Sequence, residues 1–197
     1  MDTQPGKKPL FDEDQEKIQG FFLIEDVNYI KKVKGPEGLV QLQKLVPDLN
    51  LSKILPVHRY SLAQELEVLR AMTIVLDGSD APKNWFELGK HDLETVVNSN
   101  LGKVVLALIG PKYLELVKNG GRLLAVFAPF IKYSYKKLSE TDLEITIEND
   151  PYPKEYYLGS FTATKEMVNA NVTITAKEVG PRKHVYHMHS ETPQNTG

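Results

Sequence analysis

Hydrophobic positions recur at helical spacing through the first two thirds of the chain and at alternate positions through the last third. FFLIEDVNYIKKVKGPEGLVQLQKLV opens the ordered part; Gly35-Pro36 breaks it, and Pro36 starts a second run with Leu39, Leu42 and Val46 on one side. In SLAQELEVLRAMTIVLDG, Ser61 and Gln64 have capping-box spacing, and Leu62, Leu66, Leu69, Thr73 and Leu76 form a helical stripe that Asp77-Gly78 ends. Pro82 stands early in the next predicted helix, whose stripe runs through Val97, Leu101, Val104, Val105 and Leu108. Gly89 and Gly102 lie inside that pattern and predict either a break or close contact with another backbone. Gly110-Pro111 and Gly120-Gly121 bracket a short helix, and GRLLAVFAPF reads as another.

At residue 131 the period changes from 3.6 to 2. Ile131, Tyr133 and Tyr135 alternate with Lys132, Ser134 and Lys136; Leu143, Ile145 and Ile147 alternate with Glu144, Thr146 and Glu148. SETD at 139–142 is the turn between two antiparallel strands that are polar on one face. A helix follows from Pro153 to Asn169, and NVTITAKEV and KHVYHMH close the chain as two more strands. Ahead of that helix, PYPKEYYLGSF crowds rings around one chain reversal. Tyr156, Ser160, Ala163 and Met167 share one face, Tyr157, Phe161 and Val168 an adjacent one, and Gly159 with Ala163 would let the helix approach a sheet closely. Two readings stay open for these rings: helix–sheet core, or the wall of an apolar pocket.

The pattern predicts a single α+β domain, a helical layer packed on a mostly antiparallel sheet, over residues 20–190. Residues 1–19 are expected to form a flexible arm and 191–197 a flexible tail. No repeat or low-complexity linker divides the interior.

Composition narrows the classes. The 197 residues are 41% hydrophobic and 25% charged, as in folded globular proteins. A formal charge of −2 argues against a broad grip on nucleic acid, and the lysines at 132, 136 and 137 face Glu144 and Glu148 on the expected partner strand. Absence of cysteine excludes disulfides, thiolate metal sites and cysteine nucleophiles. With no signal-peptide core and no clean apolar run of about 20 residues, the expected location is the cytoplasm. The sequon Asn171-Val172-Thr173 carries no weight without a secretion signal.

Enzyme signals are absent: no G-x-S-x-G and no phosphate-cradling glycine loop. His91-Asp92 on a helix reads as a solvated pair, because adjacent helical residues point about 100° apart. His58-Arg59-Tyr60 reads as a capping loop. His187 and His189 share a strand face at a spacing that could chelate a divalent metal, with His184 opposite; a structural zinc site wants about four ligands, and a solvated strand is the plainer reading.

The order of elements resembles the ligand-sensing superfamily that contains the 4-vinyl-reductase domain, the heme-NO-binding domain and small TRAPP subunits. Phe86-Glu87-Leu88-Gly89-Lys90, Asn98-Ser99-Asn100-Leu101-Gly102, Gly121-Arg122-Leu123-Leu124 and Tyr156-Tyr157-Leu158-Gly159 carry the resemblance. Similar signposts occur in a related uncharacterised myxobacterial family. The resemblance implies the fold, a tendency to homodimerise and a buried apolar pocket. It does not extend to heme, since Tyr133-Ser134-Tyr135-Lys136 lacks the family's Tyr-x-Ser-x-Arg motif. The cysteines that serve zinc or acyl groups in its relatives are missing too, so no cofactor is expected. The function expected is a non-enzymatic sensor or binding module holding a small apolar molecule between helices and sheet. Trp85, Phe127, Tyr133, Tyr135, Tyr156, Tyr157 and Phe161 are the candidate walls. The alternative is a scaffold or assembly subunit working by protein contacts.

Overall fold

The computed structural model describes residues 12–99, 103–104, 107 and 112–191. Leu101, Gly102, Val105, Leu108 and Gly110-Pro111, on which part of the sequence pattern rests, lie outside the described residues.

Helix α1 (Gly20–Leu45) is two helical runs joined at Gly35, whose φ of 69° no helix interior tolerates; Pro36 resumes the helix with its missing N–H costing nothing. Before α1, strand β1 (Lys17–Gln19) pairs antiparallel with β2 (Arg59–Ser61). Three-residue strands are too short to declare a period, so the sequence pattern placed 17–19 in the arm and His58-Arg59-Tyr60 in a loop. Ser61 then starts α2 (Leu62–Asp77) with both halves of the capping box in place: Gln64 N donates to Ser61 Oγ at 3.2 Å and Ser61 N to Gln64 Oε1 at 3.0 Å. Gly78, at φ 74°, ends it in the left-handed conformation. Helix α3 (Pro82–Asn98) starts at its proline.

Helix α4 (Tyr113–Phe127) runs unbroken through Gly120 and Gly121, where the sequence pattern predicted a division. The glycines make room rather than a turn. A Cβ at Gly121 would stand 2.9 Å from the Tyr133 ring and one at Gly120 3.3 Å from its hydroxyl. Tyr133 lies across both and donates its O–H to Val117 O at 2.5 Å.

Strands β3 (Lys132–Lys137), β4 (Asp142–Glu148), β5 (Val172–Gly180) and β6 (Lys183–Ser190) form one antiparallel sheet in the order β3-β4-β6-β5. Helix α5 (Lys154–Met167) enters between β4 and β5. Leu143, Ile145, Ile147, Tyr186 and Met188 are buried on the sheet's inner face. On the other face the register sets Lys132 opposite Glu148 and Lys136 opposite Glu144, so these two meet acids on the next strand, whereas Lys137, one residue on, stands opposite Leu143 and does not. The result is the α+β single domain that the change of period predicts. No helix among the described residues is long and apolar enough to cross a membrane.

Helix α5 reaches closest to α3, not to the sheet as the Gly159/Ala163 spacing suggested. A Cβ on Gly89 would stand 1.8 Å from Tyr156 O, and one on Gly159 2.0 Å from Phe86 O. Two glycines on facing helices let the backbones touch, and Ser160 Oγ donates across the gap to Gly89 O at 2.9 Å. Lys90 Nζ pairs with Glu166 at 2.6 Å further along.

Candidate functional site

The loop before α5 is fixed first, and it aims the rings. Asp150 is 1% exposed; its N donates to Arg182 O, its Oδ1 accepts from Tyr152 N at 3.0 Å, and its Oδ2 lies 2.9 Å from Nδ1 of buried His184. Burial raises the Asp150 pKa, while its bonds to His184 and Tyr152 oppose that. Tyr186 donates to Lys154 O at 3.0 Å and holds the first turn of α5 to β6. Asp150→Ala removes several of these bonds and is expected to cost about 3 kcal/mol, read as a lower urea midpoint.

Thus anchored, Tyr152 stacks on Tyr156 at 4.4 Å, Tyr157 meets Tyr156 edge-on at 5.3 Å, and Phe161 meets Tyr186 edge-on at 5.0 Å. These rings are buried in the main core, and all but Tyr186 also line a cavity.

The cavity, of about 170 Å³, lies between α3, α4, α5 and the start of the sheet. Leu93, Val96 and Val97 of α3, Leu116, Val117, Leu123 and Leu124 of α4, and Phe161 and Met167 of α5 make it mostly apolar. Of the residues expected as walls, Phe127, Tyr133, Tyr156, Tyr157 and Phe161 line it. Trp85 does not: it is 3% exposed, donates its indole N–H to Asp80, and borders a separate polar cleft near Asp150 and Arg182. Tyr135 sits in the same row as Ile145 and Tyr186 but on the edge strand, where it is 54% exposed.

Sequence reasoning missed the polar part of this cavity. Glu65 of α2 and Asp92 of α3 both line it. Tyr152 Oη donates to Glu65 Oε2 at 2.9 Å, and Tyr156 Oη donates to Asp92 Oδ2. Asp26 of α1, 2% exposed, interacts with Asp92, and its Oδ1 has no hydrogen-bond partner. Burial raises all three carboxyl pKa values, and their mutual repulsion adds to it for Asp26 and Glu65; Glu65 is pushed up to about 8. His91, expected with Asp92 as a solvated pair, instead stacks on Tyr29 at 4.0 Å, and its Nε2 is buried without a partner. The signal for the acids was present. Glu65 lies at i+3 from Leu62 and i−4 from Leu69, and Asp26 at i+3 from Leu23 and i−4 from Ile30; all four leucine and isoleucine neighbours are fully buried. A carboxylate on a buried stripe marks a candidate site.

The paired histidines face the other way. His189 Nδ1 lies 2.9 Å and His187 Nε2 3.5 Å from Asp142 Oδ1. Hydrogen bonds from Ser139 first, then His189 and Thr141, hold the Asp142 pKa below the usual carboxylate range. Among the described residues no group of three or more His, Cys, Asp or Glu is arranged to hold a metal.

The family model described as "Protein of unknown function (DUF2378)" matches residues 26–189. No curated protein matches the sequence. Solved H-NOX structures match the fold: an Fe(II) unliganded H-NOX point mutant from K. algicida (13% identity, 90% of this chain, 98% of that one, TM-score 0.72) and a T. tengcongensis H-NOX mutant (12%, 90% and 100%, 0.73). A third is an H-NOX structure that probes the function of heme distortion, at 12% identity, 91% and 98% coverage and a TM-score of 0.73. The heme-NO-binding fold named from the sequence is the one they bear out.

These likenesses overturn the expectation of no cofactor, which had set heme aside for want of a motif: the matching structures are heme-protein folds. The walls fit part of such a group. Apolar side chains suit a macrocycle, and the phenols and the Met167 thioether are iron-ligand types. None of the five histidines lines the cavity, and no described lysine or arginine does so to meet propionates. The charged edge of a heme does not fit the acids that stand there.

Proposed function

The chain belongs to the DUF2378 family, and from that premise we propose that it is a small-molecule sensor or binding module holding an apolar ligand between helices and sheet. The observation that carries this reading is the cavity: about 170 Å³, lined by residues of α3, α4, α5 and β3 and bordered by buried tyrosines. Apolar ligand sites are built from such surfaces with few polar groups to fix orientation. The volume is near that of an engineered cavity of about 150 Å³ that takes up benzene, so a single ring or a short chain is the ligand size. Larger ligands, a porphyrin among them, exceed this volume.

The test is native mass spectrometry and an absorbance spectrum on protein purified without additions, then repeated with hemin. A reproducible extra mass that survives gentle desolvation and is released by denaturation supports the reading. A Soret band on adding hemin would identify the ligand as a porphyrin; a bare protein under every condition would leave the cavity without its role. Ala128→Leu, which projects into the cavity from a buried position, is expected to lower ligand retention at least tenfold while leaving the melting temperature within about 3 °C of the parent.

A further inference from the structure

We propose that the ligand of this cavity is a small apolar amine, a single ring or short chain bearing an ammonium group received by Glu65 and Asp92. The inference rests on the cavity being a ligand site and names the chemistry of that site.

The charge pattern of the walls is one-sided. Glu65 and Asp92 are the only charged side-chain types that line the cavity among the described residues, and both are acids. Glu65 is 6% exposed; Oε2 accepts from Tyr152, and no described donor meets Oε1. Behind Asp92 stands Asp26 with its unpartnered Oδ1. No ion pair among the described residues involves any of the three. Buried carboxyls without an ion-pair partner keep their protons or cost several kcal/mol each. A cation delivered by the ligand relieves that cost. An anionic ligand would add to it.

The surroundings suit an ammonium in two further respects. Tyr152 and Tyr156, stacked on each other, each donate to one of the acids and so hold the carboxyl groups in place. The remaining lining is aliphatic and aromatic, fitting the ligand's apolar body.

Proton balance follows. The ammonium enters charged, and the carboxyl that receives it, Glu65, releases one proton to solvent. Asp26, Asp92 and Tyr152 are the titratable groups that act on Glu65, with Tyr156 and His91 bonded to or beside Asp92. Because Glu65 holds its proton to about pH 8, affinity is expected to rise close to tenfold per pH unit between pH 6 and 8 and then level off.

The experiment is calorimetric titration of the full chain with benzylamine and with its neutral isostere benzyl alcohol at pH 6, 7 and 8. The expected result is tighter binding of benzylamine at pH 8, by at least tenfold, with proton release seen in buffers of different ionisation enthalpy. Glu65→Gln is expected to bring benzylamine down to the benzyl alcohol level; the pH series on the unmodified protein stands on its own if that variant folds poorly. Equal, pH-independent binding of both overturns the amine and leaves the cavity reading intact. Binding of neither, with the protein folded, overturns both.

Discussion

Gly89→Ala and Gly159→Ala are each expected to lower the melting temperature by about 10 °C, and the double variant to fail to fold at 37 °C. Each new methyl would sit at or inside 2.0 Å of a carbonyl oxygen on the facing helix, Tyr156 O or Phe86 O. Backbone cannot give way as a flexible side chain can, so α3 and α5 must separate. Overpacking of this kind costs about 3 kcal/mol or more, which for a chain of this size is about 6–12 °C. Separation also breaks Ser160 Oγ from Gly89 O and draws Tyr156 away from Asp92, so ligand uptake is expected to fall with stability. Thermal melts followed by circular dichroism read the first effect. Melts within 2 °C of the parent would mean the helices do not touch.

The second large effect is on pH. Glu65 titrates near 8 in the folded chain against an ordinary value of 4.5, so protonation favours the folded state. That stabilisation is fully present below about pH 4.5, shrinks as the unfolded chain ionises first, and is gone above about pH 8. Burial is the main cause; the Tyr152 hydrogen bond opposes it, and the charge of Asp92 adds to it. The loss across that window is on the order of 5 kcal/mol. Asp26 and Asp92, raised in the same direction, steepen it. The ligand-free protein is therefore expected to be most stable near pH 5 and to lose stability steadily towards pH 8, the reverse of a protein held by ionised salt bridges. Glu65→Gln is expected to flatten the curve. Urea titrations at half-unit pH intervals decide it: a profile flat from pH 5 to 8 in the parent would show that Glu65 does not keep its proton.

Most of the architecture was readable because it is written locally. Ser61 and Gln64, Pro82, Gly78 and the alternation at 133–135 and 143–147 each specify a start, a stop or a face within a few residues. The misreadings share a cause. Gly120-Gly121 looks like punctuation until Tyr133 is known to lie on it, and Gly159 looks like a helix–sheet contact until Gly89 is known to face it. Both facts depend on which surface comes from elsewhere in the chain. The acid cluster is the same problem at larger range, since Asp26, Glu65 and Asp92 come from three helices. Heme was set aside on a missing motif, yet the fold matches H-NOX structures at 11–13% identity: a short motif says little about which fold the chain adopts.

The central claim is that the space between α3, α4 and α5 is where a ligand sits. Methyl-resolved NMR of the leucines and valines during titration with benzyl alcohol tests it most directly, using a neutral probe that does not depend on the acids. Saturable shifts confined to Leu93, Val96, Val97, Leu116, Val117, Leu123 and Leu124 are the result predicted. Shifts at exposed Val33, Val40 or Val57 with those seven unmoved would contradict it.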